Sequence, residues 1–151
     1  MKNKGRIKDL QSPNSFVLDS YAVIGYLENE SFSDQIQHTL TQAKNGSIRL
    51  YFHAIHIGEV YYITLREQGQ DLADLAYARI KALPMKLIDR IDEELLLTAA
   101  GLRARYPISY ADSFAGALAM IKNCPLLTGD PEFESLEKQG IINIEWLSPQ
   151  G

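Results

Sequence analysis

Asp19, Glu59, Asp112 and Asp130 are carboxylates set inside apolar surroundings, in FVLD, IHIGEVYYI, SYADSFAGALA and PLLTGDPEF. Each interrupts a pattern that predicts burial, and an ionised carboxylate is costly to bury without a compensating charge. No lysine or arginine stands in any of these four stretches. Hard oxygen donors drawn together suit a divalent cation, so the chemistry expected of this set is metal-dependent hydrolysis.

Three of the four acids also have a local explanation. Asp19 can cap the helix beginning near Ser20, and Asp130 followed by Pro131 is a good cap with proline in the first helical turn. Ser109 to Asp112 resembles a capping box with aspartate in place of glutamate. Glu59 caps nothing, because it lies inside a helix on a face shared with Ile55, Tyr62 and Ile63. The conjunction of four outweighs the separate explanations.

Other chemistries find less support. The single Cys124 allows no intramolecular disulfide and has no accompanying base. His53 and His56 lie outside any HExxH pattern and suit helix capping or packing, and His38 falls on a polar helix. No glycine-rich phosphate loop is present. Tyr61 and Tyr62, on an apolar helix, are expected in the core or at a dimer interface.

The acids need elements to position them, and the chain alternates strand-like with helix-like segments. Strands are expected near 16–19, 48–53, MKLID, PLLT and IINIEW. Helices are expected after Ser20, over 33–44 with Asn45-Gly46 as the stop, and from about 54 to 66. Further helices are expected from Asp71 to Ala82, across EELLLTAAGLRAR, after Ser109 and, briefly, from Pro131. Alternation with short connections implies an α/β fold, a three-layer α/β/α sandwich around a mainly parallel sheet. Ligands then bind beyond the carboxyl ends of the strands, where Asp19 and Asp130 are placed by sequence alone.

At 151 residues, 46% hydrophobic and 23% charged, the chain suits one core. A domain over residues 15–147 preceded by an N-terminal extension over 1–14 is expected. The first ten residues carry a net charge of +3 and the remainder −7. That balance argues against polyanion binding through overall charge, and the basic tail is expected to be solvated. The start MKNKGRIKDL lacks a secretory apolar stretch and no run suits a membrane span, so a cytoplasmic location without membrane attachment is expected.

Asp19-Ser20 after the first strand, Gly58-Glu59-Val60 on a helix, YADSFAGALA, and L-L-T-x-D-P-x-F from Leu126 to Phe133 together resemble the PIN domain. The run DEELLLTAAGLRARYPISYADS is similar to VapC-type toxins of that family. The resemblance covers about residues 15–147. It implies a Mg²⁺- or Mn²⁺-dependent ribonuclease hydrolysing RNA phosphodiester bonds, with Asp19, Glu59, Asp112 and Asp130 as metal-binding catalytic acids and Thr128 supporting the site. It further implies the toxin of a type II toxin-antitoxin pair, a homodimer silenced by a small antitoxin. The alternatives are a solitary PIN nuclease in RNA processing and a non-catalytic PIN-fold binding module. A receiver-like phosphoryl-transfer protein would want paired acids after the first strand and a lysine after the last ones, and neither is visible.

Overall fold

A computed structural model describes residues 14–148. The basic residues before Asn14, expected to form an extension, lie outside the described residues.

Five short strands form one parallel sheet in the order β3-β2-β1-β4-β5. They are β1 (Ser15–Leu18), β2 (Arg49–His53), β3 (Lys86–Ile88), β4 (Leu126–Thr128) and β5 (Ile144–Trp146). Successive strand residues point to opposite faces, and the sequence is apolar on both. Val17, Tyr51 and Leu126 therefore enter one core, while Leu18, Leu50, Phe52 and Leu127 enter the other.

The second core is closed by α1 (Ser20–Leu27), α2 (Ser33–Lys44), α3 (Ala54–Gln68) and α4 (Gln70–Ala82), which contribute Val23, Ile36, Val60 and Ile80. The first is closed by α5 (Glu93–Arg105), α6 (Tyr110–Lys122) and α7 (Glu134–Lys138), with Leu102, Phe114, Leu118 and Leu136. A 3₁₀ turn over Pro131–Phe133 precedes α7. The small residues of α6 allow close approach, and neighbouring helices occupy the space at Gly116. A β-carbon there would lie 3.0 Å from Leu136 and 3.3 Å from Leu102.

Helix boundaries follow local chemistry. Asn45 ends α2 and Gly46, at φ 87°, turns the chain in a conformation that glycine adopts without strain. Helix α5 runs from the N-cap Asp92, which accepts from the Leu95 amide, to Arg105, two residues before Pro107.

The strand order reverses at β1, which pairs with β2 on one side and β4 on the other. In an open α/β sheet that reversal splays the flanking connections apart and leaves a crevice at the carboxyl ends of the two strands. Asp19 directly follows β1, and Asp130 follows β4 by one glycine. Among the described residues, no helix is long and apolar enough to cross a membrane.

Candidate metal centre

Three of the four anticipated acids converge above that crevice. Asp19, Asp112 and Asp130 each offer a carboxylate oxygen, all within 4.8 Å of one another. A divalent ion bound at about 2.1 Å holds its oxygens roughly 3 to 4.2 Å apart, so small side-chain rotations would close the set. Asp19 and Asp112 are buried, whereas Asp130 is half-buried.

The caps foreseen in the sequence form without consuming the acids. Asp19 caps α1 through Oδ1, accepting from the Ala22 amide at 3.0 Å. Its Oδ2 accepts from the Thr128 hydroxyl at 2.6 Å, across the junction of β1 and β4. The same Thr128 oxygen accepts from the Asp130 amide at 3.0 Å, so one hydroxyl sets both neighbouring acids. Asp130 Oδ1 accepts from the Glu132 amide at 2.9 Å. Ser109 caps α6 by accepting from the Asp112 amide, leaving the Asp112 carboxyl to face the cluster.

Glu59 does not join the three-acid cluster. It is half-buried on α3, and its Oε1 accepts from the Ser20 hydroxyl at 2.8 Å, next to Asp19. Its surroundings are also wetter than its apolar sequence context suggests, since Tyr62 on the same face is 50% exposed. The Tyr62 ring lies under the Arg66 guanidinium rather than in the core, and the hydroxyl of the half-buried Tyr61 donates to Asp74.

Among the described residues, no lysine or arginine forms an ion pair with any of the four acids; the Arg66–Glu67 pair lies elsewhere on the surface. Asp19, Asp112 and Glu59 instead bind their protons more tightly than free carboxyls do. Burial pushes Asp19 up to about 7, aided by the charge of Asp130 and opposed by the Thr128 and Ala22 hydrogen bonds. Asp112 is pushed up to about 9 by burial first, then by a hydrogen bond to Glu132 and the charges of Glu132, Asp19 and Asp130. Burial likewise raises Glu59, with Asp130 and Glu132 adding to the effect. Crowded carboxylates without bases repel and neutralise in this way, and a divalent cation is the partner that would relieve them.

Sequence reasoning missed Glu132. It is exposed, accepts from the Ser109 amide at 2.8 Å, and stays below the usual carboxylate range because it accepts from Asp112 and Ser109 and faces Arg103. Its place in the turn that carries Asp130 was the available signal.

His53 and His56 both serve structure, as expected. His53 caps α3 through Nδ1, which accepts from the Ile55 amide, and its Nε2 donates to the Arg90 carbonyl. His56 is fully buried, and its Nε2 donates to the Ala111 carbonyl at 2.9 Å. That bond ties the helix bearing Glu59 to the helix bearing Asp112. Burial first, and then the neighbouring His53, lower the His56 pKa to about 4, keeping the ring neutral.

His56→Leu removes the tie and is expected to cost about 1–3 kcal/mol in urea unfolding. His56→Gln, which keeps a donor, should recover most of that loss. Equal losses in the two variants would show that ring packing, not the hydrogen bond, carries the effect.

Comparison with known proteins places this arrangement. A PIN domain family model matches residues 16–139. Among solved structures, VapBC2 from Rickettsia felis, bound to a DNA fragment from its promoter, has a chain that superposes with a TM-score of 0.68 at 15% identity, covering 89% of this chain and 99% of that one. VapBC from Salmonella typhimurium, also bound to DNA, gives 0.65 at 16% identity over 89% and 98% of the two chains. VapC20 from Mycobacterium tuberculosis, described as a toxin that cleaves the sarcin-ricin loop, gives 0.62 at 15% identity over 80% and 93%. No curated protein matches the sequence.

Proposed function

This chain belongs to the PIN domain family, and from that premise we propose that it is a Mg²⁺- or Mn²⁺-dependent ribonuclease, the toxin of a type II toxin-antitoxin pair. The observation that carries the reading is the convergence of Asp19, Asp112 and Asp130 at the strand-order reversal, with no base paired to them. Similarity to solved VapC toxins, several of them from toxin-antitoxin complexes, supports the toxin assignment and a small antitoxin as partner.

Asp19, Asp112 and Asp130 would hold the cation, with Glu59 beside them. When bound, a divalent ion supplies Lewis-acid polarisation of a phosphodiester and lowers the pKa of water. The chain's own residues do the rest. Thr128 keeps one Asp19 oxygen aimed inward and fixes the Asp130 backbone at the same time. Ser20 restrains Glu59 at the edge of the cluster, where burial and the charges of Asp130 and Glu132 raise its pKa above the usual carboxylate value. To ligate a cation as an anion, Asp112 would have to shed the proton that burial favours, while Glu132, held below the usual carboxylate range, would stay ionised beside it. No side chain is needed as a covalent nucleophile.

Direct attack of water on phosphorus, with the 3′ oxygen leaving, yields 5′-phosphate and 3′-hydroxyl ends. Mass spectrometry of RNA fragments produced by the purified chain in Mg²⁺ should find those ends, and chelation should stop their formation. Cyclic 2′,3′-phosphate ends, or cleavage that survives chelation, would contradict the reading.

A further inference from the structure

Tyr21 follows Asp19 by two residues and is 40% exposed, yet its ring is held on two sides. It stacks on the buried Phe32 ring, with centroids 5.5 Å apart and planes 15° from parallel. Its phenol end lies over Gly129, where a β-carbon would come within 2.7 Å of Cε1 and 3.3 Å of Cζ and the hydroxyl oxygen. Gly129 is not among the residues with positive φ, so backbone conformation does not demand glycine there. Room for the Tyr21 ring does. That contact sets the ring against the residue immediately before Asp130, while the residue before Tyr21 anchors Glu59.

We infer that Tyr21 is a stacking platform for one nucleobase of single-stranded RNA, seating the nucleotide next to the cleaved phosphodiester. The inference rests on the ribonuclease reading and names how that site grips its substrate. Single-stranded RNA is read through splayed bases laid on aromatic faces, and every base has a face to offer. A ring already braced by Phe32 and Gly129 loses little further freedom when a base lands on it, so more of the stacking energy appears as affinity. The partly open ring stands against the glycine that precedes Asp130 and two residues after Asp19. Tyr77 on α4 is comparably open, at 45%, but packs edge-on to Tyr61 in a different part of the fold.

The test uses the full chain, short fluorescein-labelled oligoadenylates and Ca²⁺ in place of Mg²⁺ to prevent turnover, with anisotropy as the readout. Tyr21→Leu keeps bulk against Phe32 but has no aromatic face, and should weaken binding about tenfold. Tyr21→Phe and Tyr77→Ala should bind as the unaltered chain does. One abasic residue, moved along the RNA, should cost the unaltered chain the same factor at a single position and cost Tyr21→Leu nothing more, because the same contact cannot be lost twice. Unchanged affinity in Tyr21→Leu, or abasic and protein losses that simply add, overturns the stacking role alone. No binding of RNA by the unaltered chain overturns both this role and the ribonuclease reading.

Discussion

Asp112→Asn is expected to lower Mg²⁺-dependent RNA cleavage by about 10²–10³-fold while making the metal-free protein more heat-stable at pH 8 to 9. The two effects share one cause. Asp112 holds its proton to about pH 9 because burial, Glu132, Asp19 and Asp130 all disfavour its charge. Asparagine imitates the protonated carboxyl permanently and can still donate to Glu132, but it brings no negative charge to a cation. The sign of the pH effect follows from proton counts. A carboxyl whose pKa is raised on folding keeps a proton that the unfolded chain has lost, so its contribution is complete below the unfolded value near 4 and falls away as pH rises through the folded one. For Asp19 that loss ends near 7 and for Asp112 near 9.

His56 works in the opposite direction. Its folded pKa is about 4, so the unfolded chain gains a proton below about 6.5 that the folded chain refuses, and stability falls on acidification through that window. Above about pH 7 the histidine contribution is flat, and the decline there belongs to the acids. Thermal melts of metal-free protein from pH 7 to 9 should therefore show a falling melting temperature, and Asp112→Asn should flatten it. An undiminished slope in that variant, or cleavage at the original rate, would remove Asp112 from the account.

The second large effect is that of metal on stability. Mg²⁺ or Mn²⁺ at a hundredfold excess over its dissociation constant should add about 2.7 kcal/mol by mass action, a rise in melting temperature of roughly 5–10 °C for a chain of this size. Because ligating carboxylates must shed protons, affinity should strengthen as pH rises toward 9, and proton release should accompany binding. Calorimetry in buffers of different ionisation enthalpy reads that release directly. Metal binding that is independent of pH would mean that the acids described here are not the ligands.

The elements were largely legible because local chemistry places them. Asn45-Gly46 ends α2, Pro107 follows the end of α5, and alternating runs such as RLYFH carry side chains to two faces. Asp19 and Asp130 could be assigned to strand ends for the same reason. Distance between elements is another matter. Nothing in GEV indicates that Ser20 will hold Glu59 beside the cluster, and DPE puts Glu132 in the turn with Asp130 without showing that it will reach Asp112. The expectation of a core position for Tyr62 followed from the apolar character of its helix, but within the single chain its own face is 50% exposed. Helical period names residues that share a face and does not say how much of that face a neighbour covers.

The site also shows why its acids are ambiguous in sequence. Asp19 and Asp130 are both caps and members of the cluster, since a carboxylate has two oxygens and capping uses one. Thr128 takes the second oxygen of Asp19 without neutralising it.

The most direct measurement is anomalous diffraction at the manganese absorption edge from crystals soaked in Mn²⁺. A peak within about 2.3 Å of oxygens from Asp19, Asp112 and Asp130 is the expected result. Crystals that bind Mn²⁺ only elsewhere, or that leave these three carboxylates without a cation at millimolar Mn²⁺ and pH 8, would contradict a metal-dependent nuclease centre in this chain.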